Sequence, residues 1–233
     1  MKSYSVIFFD LDDTLLDYQD AETNVMRRLF KAGGRPCTAQ TEKELWEMSS
    51  YYWDKYRLTD SEDTFIQENY HALFYNYLAD FMAELGRRYD FACPPERLQA
   101  LFLEYLSQES KAVEGAEEVL RFFRERAVLM LASNGLEWVQ KRRLGKLAPY
   151  FGGMLISEEA GVIKPGRRFW ELALERAGCE PQNCLMAGDS LKNDILGAAA
   201  FGMDTCWVNR KGKECGGAAP TWEVRELREM CKL

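Results

Sequence analysis

The stretch that decides the fold is FFDLDDTLLD, residues 8–17. The apolar run over residues 6–9 predicts a buried strand. Four carboxylates follow it within a few residues: Asp10, Asp12, Asp13 and Asp17. Carboxylates at the end of a buried strand repel one another and are costly to remove from water. Either all four face solvent, or a positive group lies among them.

Five short apolar or β-branched runs predict the strands of a sheet: residues 6–9, 128–132, 154–156, 184–187 and 205–208. Four of the five are separated from the next by amphipathic stretches of helical length. Their nearly unbroken apolarity is typical of strands buried on both faces of a parallel sheet. The sequence therefore predicts an α/β fold, a Rossmann-like parallel sheet flanked by helices.

The segment after the first strand shows helical patterns and no convincing strand. Thr41 with Glu44, and Thr59 with Glu62, fit the capping box at a helix start. Apolar residues recur at helical spacing over residues 66–85, and a further helix is expected over residues 96–107.

A crossover between parallel strands needs only about a dozen residues, so this segment is far longer than a connection. We therefore expect a helical cap over residues 18–110, inserted after the first strand. The catalytic core would comprise residues 1–17 and 111–233, with residues 212–220 as a surface loop.

Bulk properties limit the class of partner. The 233 residues carry a net charge of −7 with a pI near 5.0, which argues against a nucleic acid polymer or an anionic membrane as the main partner. No targeting segment or bilayer-spanning run is visible. The seven cysteines are odd in number and lack zinc-site spacing, so the sequence predicts free thiols in a reducing cytoplasm.

Polar residues follow four of the predicted strands. In open parallel sheets, ligands bind at the carboxyl ends of the strands, so these residues should border one cleft. They are Asp10, Asp12 and Thr14 after the first strand, Ser133 and Asn134 after the second, Lys164 in the loop after the third, and Asp189 and Asp194 after the fourth.

The order D-x-D-x-T, a serine after a strand, Lys-Pro and G-D-x(4)-D resembles the four motifs of the haloacid dehalogenase-like (HAD) superfamily of phosphohydrolases. The helical insertion resembles the cap that these enzymes carry after their first motif. Each motif alone is common, whereas four in order at strand ends, over nearly the whole chain, are specific.

The resemblance implies hydrolysis of a phosphate monoester through an aspartyl-phosphate, with Asp10 as the nucleophile. Asp12 would protonate the leaving alkoxide and then deprotonate the attacking water. Since a carboxylate and a phosphate dianion repel each other, a cation must lie between them, and Mg²⁺ suits an all-oxygen site. Its ligands would be the Asp10 side chain, the Asp12 backbone carbonyl and the Asp189 side chain, with Asp194 in support.

Three residues are the predicted phosphate-binding groups. Lys164 would place positive charge on the phosphoryl oxygens. Ser133 would donate its hydroxyl, and backbone N–H groups around Asn134 and Gly135 would also donate. Thr14 is expected to brace the loop rather than to react.

Other polar and aromatic residues have structural interpretations. Asp13 and Asp17 are expected in a solvated loop or at a helix start, His71 in a structural role in the cap, and the cysteines in packing. Ten aromatic residues between residues 51 and 81 form either a stacking surface for a nucleobase or simply the core of a helix bundle.

The haloacid dehalogenases of this superfamily lack an aspartate at the position that Asp12 matches. Under the resemblance, Asp12 therefore indicates a phosphatase or a phosphomutase rather than a dehalogenase. Residues 156–165, ISEEAGVIKP, resemble a segment of the YjjG-type pyrimidine 5′-nucleotidases. The resemblance implies a nucleoside monophosphate as substrate. A sugar-phosphate phosphatase, a phosphomutase and a non-catalytic HAD-fold binding protein remain as alternatives, and the oligomeric state is not addressed by the sequence.

Overall fold

The structure is a computed structural model that describes residues 2–217 and 219–233. Its strands are β1 Val6–Phe9, β2 Val128–Ser133, β3 Gly153–Ile156, β4 Cys184–Gly188, β5 Asp204–Val208 and β6 Trp222–Val224. They form one parallel sheet in the order β3-β2-β1-β4-β5-β6. The predicted fold class and all five predicted strands are confirmed, whereas the short edge strand β6 was not predicted.

The two faces of the sheet bury alternate side chains of each central strand. In β1, Ile7 and Phe9 belong to one hydrophobic cluster, and Val6 and Phe8 belong to the cluster on the opposite face. All four side chains are at most 3% exposed. Burial on both faces explains why the strand reads as an unbroken apolar run.

The described residues, 2–217 and 219–233, contain nine α-helices. They are α1 Tyr18–Ala32, α2 Ala39–Lys55, α3 Thr64–Arg88, α4 Pro95–Leu106, α5 Ala116–Arg124, α6 Glu137–Leu144, α7 Ser157–Ala160, α8 Arg167–Ala177 and α9 Gly197–Ala199. A π-helical segment, Leu191–Leu196, leads into α9. None of these helices combines the length and apolarity needed to cross a bilayer.

Helices α1 to α4 have a hydrophobic cluster of their own. Val25, Leu78 and Phe81 are fully buried in it, and Leu136, directly before α6, and Val139 of α6 also belong to it. All other members of this cluster lie within the predicted cap.

Two segments connect these helices to the sheet: one leads from β1 into α1, and the other leads from α4 to α5. These two chain passages run side by side. The Asp17 N–H donates to Lys111 O at 3.0 Å, and the Val113 N–H donates to Leu15 O at 2.8 Å. The passages therefore lie near the predicted boundaries. The division into residues 18–110 and the two core segments stays a prediction.

Both predicted capping boxes are wrong. Helix α2 begins one turn earlier, because the Thr38 side chain accepts from the Thr41 N–H. Helix α3 begins after Asp63, whose carboxylate accepts from the Ile66 N–H. The Ser61 hydroxyl, in the segment before Asp63, donates to Asn193 Oδ1 at 2.7 Å.

Other local predictions have mixed outcomes. Asp17 is the N-cap of α1, and α4 confirms the helix expected over residues 96–107. Residues 212–217 are exposed and belong to no helix or strand, while residue 218 of the predicted loop lies outside the described residues. All seven cysteines are free. Cys184 and Cys206 are buried as expected, whereas Cys215 is exposed.

Candidate active site

Polar side chains from three neighbouring strands meet at the carboxyl edge of the sheet. Asp10 directly follows β1, Ser133 is the last residue of β2, and Asp189 directly follows β4. The register aligns these ends, since Phe9 is paired with Ala187. The Asp10 N–H also donates to Ala187 O at 2.9 Å. Asp10 is thereby fixed at the end of a buried strand.

Lys164 supplies a positive group beside Asp10. It is 2% exposed, and its Nζ donates three hydrogen bonds of 2.7 Å, to Asp10 Oδ1, Asp194 Oδ1 and Ala132 O. Burial by itself would lower the pKa of Lys164, but the charges of Asp10 and Asp194 outweigh it and raise this pKa above its ordinary value. Lys164 therefore stays charged within the buried site.

The Asn134 side chain positions Lys164. Its Oδ1 accepts from the Lys164 N–H at 2.7 Å, and its Nδ2 donates to Lys164 O at 2.8 Å. The neighbouring Gly135 N–H donates to Ser157 Oγ at 2.9 Å. The Asn134 side chain and one of the two backbone donors predicted for phosphate thus already have protein partners.

Three carboxylates form a cluster that fits a hard cation. Oxygens of Asp10, Asp189 and Asp194 all lie within 4.8 Å of one another. Burial is the main cause that raises the pKa of Asp10 well above its ordinary range, with Lys164 opposing and the neighbouring acids adding to it. Burial and the Asp194 charge raise the pKa of Asp189 to about 7. Oxygen donors under such mutual repulsion are the type of ligand set that Mg²⁺ prefers.

Asp194 is more central than the sequence suggested. It is 1% exposed, and its Oδ2 accepts from the Ser190 N–H at 3.0 Å while Oδ1 accepts from Lys164. The resemblance gave Asp194 a supporting role, whereas its carboxylate belongs to the same acid cluster as Asp10.

The backbone of Asp189 is held from two sides. Thr14 Oγ1 accepts from the Asp189 N–H at 3.0 Å, and Trp207 Nε1 donates to Asp189 O at 2.9 Å. The Thr14 contact joins the loop after β1 to the loop after β4, which is the contact that a bracing residue needs.

Gly188, the last residue of β4, gives the acid cluster its space. A Cβ atom there would lie 2.2 Å from Asp194 Oδ2. We expect Gly188→Ala to destabilise the fold by about 1–3 kcal/mol through overpacking and to reduce turnover by roughly 10²-fold through misplacement of Asp194. Thermal melting and steady-state kinetics measure the two effects.

Gly86→Ala is the matched control, because a Cβ at this position in α3 would only touch Leu98 Cδ1 at 3.4 Å. It should leave turnover unchanged and add about 0.5–1 kcal/mol of helix stability. Unaltered melting and turnover of Gly188→Ala would contradict the crowding argument.

Asp12 is held apart from the acid cluster by two residues of α6. Gln140 Nε2 donates to Asp12 Oδ2 at 2.6 Å and to Ser133 Oγ at 2.9 Å. Arg143 Nη1 forms an ion pair with Asp12 Oδ1. The Ser133 hydroxyl, predicted to face phosphate, therefore accepts from Gln140 and keeps its own proton available for donation.

Gln140 and Arg143 were missed by sequence reasoning, although a signal exists. Leu136, directly before α6, and positions 139, 140 and 143 within it form a buried stripe at helical spacing, with relative exposures of 5%, 3%, 2% and 1%. Two strongly polar side chains on a buried stripe are unusual and mark a site where polar partners must exist.

A cavity of about 620 Å³ opens between this edge of the sheet and helices α1 to α3. Asp12, Asn134 and Arg143 lie on its wall. Trp46, Trp53, Tyr70, Phe74 and Tyr77 form much of the opposite wall. Its volume is that of a site for a small organic ligand.

The aromatic residues of the cap divide between the two predicted roles. Trp53, Phe74 and Tyr77 line the cavity and also pack on the cap core. Phe81 is fully buried in that core, whereas Tyr51 is 64% exposed. Some of these aromatic residues therefore belong to the core of the helix bundle, and Trp53, Phe74 and Tyr77 also face the cavity, while a stacking role toward a nucleobase stays a prediction.

Two further titratable groups line the cavity. Glu22, which the sequence did not single out, is 8% exposed, and burial raises its pKa to about 7, with the Ser49 hydroxyl opposing in part. His71 Nε2 shares a 2.9 Å hydrogen bond with Ser157 Oγ, and burial lowers the pKa of His71. His71 therefore joins the cap to α7 in the structural role expected of it, while also facing the cavity.

Two bacterial nucleotidases are similar in sequence to this chain over nearly its whole length. The pyrimidine 5′-nucleotidase YjjG of Escherichia coli is 31% identical over 97% of this chain and 96% of its own length. The pyrimidine 5′-nucleotidase PynA of Streptococcus pneumoniae is 32% identical over 97% of this chain and 93% of its own length.

A solved structure and a family model agree with these relatives. The magnesium-bound HAD-hydrolase YfnB of Bacillus subtilis superposes with a TM-score of 0.83 at 27% identity, covering 98% of this chain and 97% of that one. The model of the haloacid dehalogenase-like hydrolases matches residues 4–202. With the four motifs gathered at one sheet edge, this chain belongs to the haloacid dehalogenase-like hydrolase family.

Proposed function

We propose that this phosphoric monoester hydrolase is a magnesium-dependent 5′-nucleotidase that acts on pyrimidine nucleoside monophosphates. One observation carries the proposal: Asp10, bonded to the buried Lys164, and Asp12, two residues on, stand at a sheet edge that faces an aromatic cavity. The pairing of Asp10 with Lys164 suits phosphoryl transfer, and the aromatic cavity suits an organic group with a flat ring.

Asp10 acts as the nucleophile. Its carboxylate attacks phosphorus and displaces the alkoxide of the nucleoside, forming an aspartyl-phosphate. Lys164 holds one oxygen of Asp10 at 2.7 Å, which leaves the other oxygen for attack. Its charge also offsets the negative charge that the phosphoryl group brings into the site.

Asp12 moves the proton. It protonates the departing alkoxide and, in the second step, removes a proton from the water that attacks the aspartyl-phosphate. Phosphate is then released with both aspartates restored. The ion pair with Arg143 and the hydrogen bond from Gln140 favour the ionised carboxylate and suit the second step, in which Asp12 takes the proton.

The carboxylates of Asp10 and Asp189, with the Asp12 backbone carbonyl, would hold Mg²⁺, and Asp194 would support the site. When bound, the ion would supply positive charge that offsets the repulsion between the nucleophilic carboxylate and the phosphate. The oxygens of Asp10, Asp189 and Asp194, which lie within 4.8 Å of one another, support a cation at this position, because a positive charge would offset their mutual repulsion.

Two features favour a nucleotide as substrate. Both nucleotidase relatives align over almost their entire length, including the cap. In addition, Trp53, Tyr70 and Phe74 offer aromatic faces for a base, and the buried Glu22 offers a polar partner for its edge.

A substrate panel tests the proposal. UMP, dUMP and dTMP are compared with glucose 6-phosphate and 2-phosphoglycolate by phosphate release. We expect kcat/KM for the pyrimidine nucleotides to exceed that for the other esters by tenfold or more, about 1.4 kcal/mol of transition-state binding. EDTA should abolish turnover of every substrate, and excess Mg²⁺ should restore it.

The other outcomes identify the alternatives. Higher kcat/KM for a sugar phosphate would replace the nucleotidase by a sugar-phosphate phosphatase. Conversion of glucose 1-phosphate to glucose 6-phosphate without phosphate release would indicate a phosphomutase. No turnover of any ester with Mg²⁺ present would indicate a binding protein, and turnover that survives EDTA would remove the metal from the proposal.

A further inference from the structure

Arg143 lies where α6, Asp12 and both chain passages meet. It is 1% exposed. Its Nη1 donates to Asp12 Oδ1 and, at 3.0 Å, to Gln140 Oε1, and its Nε donates to Glu109 O at 3.1 Å. The guanidinium carbon lies 5.4 Å from the centre of the Tyr18 ring. Arg143 thus contacts the start of α1 and the segment that follows α4 as well as Asp12.

Gln140 completes the arrangement. Because its Nε2 donates to Asp12 Oδ2 at 2.6 Å, each oxygen of the Asp12 carboxylate has a fixed donor. Gln140 in turn accepts from Arg143. A carboxylate bonded at both oxygens has one preferred orientation, and here Arg143 and Gln140 set it together.

Stability alone does not explain an arginine at this position. Arg143 Nη2 is buried and has no hydrogen-bond partner in the part of the chain that the structure describes. An unsatisfied buried donor costs free energy, and replacing buried ion pairs by apolar side chains is often neutral or stabilising. The guanidinium therefore suggests a requirement imposed by the reaction.

We propose that Arg143 is a positioning residue that fixes the Asp12 carboxylate for proton transfer and ties its orientation to the two passages that carry the cap helices. The inference rests on the proposed function, since it needs Asp12 as the proton donor to the leaving group. Tyr18 and Glu109 belong to different passages, so a shift of either passage changes the surroundings of Arg143 directly.

The leaving group makes this role measurable. The alkoxide of a nucleoside is a poor leaving group and needs a proton, whereas p-nitrophenolate leaves without one. Single-turnover release of the leaving group, with enzyme in excess, reports only the transfer of the phosphoryl group to Asp10. A positioning defect at Asp12 should therefore slow release from UMP far more than release from p-nitrophenyl phosphate.

The experiment compares Arg143→Met and Arg143→Lys with Arg142→Met, a matched control on the exposed side of α6. For Arg143→Met we expect the single-turnover rate on UMP to fall about 10²-fold, and the rate on p-nitrophenyl phosphate to fall less than about tenfold. Arg143→Lys keeps a cation within reach of Asp12 and should recover part of the UMP rate. Arg142→Met should match the unaltered enzyme on both esters.

Equal losses on the two esters, or no loss on UMP, would overturn the positioning role. If Arg143→Met fails to fold, Arg143→Lys decides through the same ratio of rates. Failure of the proposed function is seen separately, in the unaltered enzyme. If that enzyme cleaves glucose 6-phosphate but not UMP, the nucleotide proposal fails and glucose 6-phosphate becomes the alkyl ester for Arg143. If it cleaves neither, both proposals fail.

Discussion

Asp10→Asn should abolish turnover on every phosphate ester while leaving the protein folded. The amide is not a nucleophile toward phosphorus, and loss of a nucleophile of this kind costs on the order of 10⁴-fold or more in kcat. The substitution keeps the shape of the side chain. Since burial already raises the pKa of Asp10, an uncharged group at this position should be tolerated. Phosphate release and thermal melting measure the two properties.

Asp17→Asn is the matched control, because it makes the same chemical change seven residues along the same stretch. Asp17 caps α1 through the Asp20 N–H, and asparagine caps a helix about equally well. Its turnover and melting should equal those of the unaltered enzyme. Turnover by Asp10→Asn above about one per cent of normal would contradict a covalent intermediate on Asp10.

Lys164→Met should have the second-largest effect. The substitution keeps a side chain of similar length but leaves Asp10 and Asp194 buried without their shared cation. Removing one partner of a buried ion pair costs about 3–5 kcal/mol. Loss of a donor to the reacting phosphoryl group should reduce kcat by about 10²- to 10³-fold.

Magnesium separates the two effects of Lys164→Met. A bound ion stabilises the folded state by mass action, so added Mg²⁺ should restore part of the melting temperature without restoring kcat. Lys141→Met serves as the control, because Lys141 forms an exposed pair with Glu137 one turn away that contributes less than about 1 kcal/mol. A near-normal kcat in Lys164→Met would show that another cation serves the phosphoryl group.

The strands and the motif residues could be read from the sequence because their signals are local. A strand buried on both faces reads as an apolar run, and each of β1 to β5 contains at least three consecutive apolar residues. In β6, by contrast, Trp222 is partly buried, Glu223 is exposed and only Val224 is buried. A strand of three residues at the edge of a sheet has too little burial to leave a pattern.

The helix starts in the cap could not be read in the same way. Several threonines and aspartates near each start offer capping oxygens, and the local pattern does not choose among them. Thr38 and Asp63 are the caps that form. In the second case the segment before the cap has a long-range contact, since the Ser61 hydroxyl donates to Asn193 Oδ1, more than a hundred residues away.

The sequence by itself determined the parallel α/β sheet, the helical segment after β1 and the position of Asp10, Asp12, Lys164 and Asp189 near the carboxyl ends of strands, because these depend on burial patterns and strand ends. Only the tertiary structure showed that Lys164 bonds to both Asp10 and Asp194 and that Asn134 positions Lys164. It also showed that Arg143 and Gln140 hold Asp12. These contacts join residues 30 to 154 positions apart. Helical spacing can place Gln140 and Arg143 on a buried face, but it does not identify Asp12 as their partner, because the partner of a buried charge is chosen by packing in three dimensions.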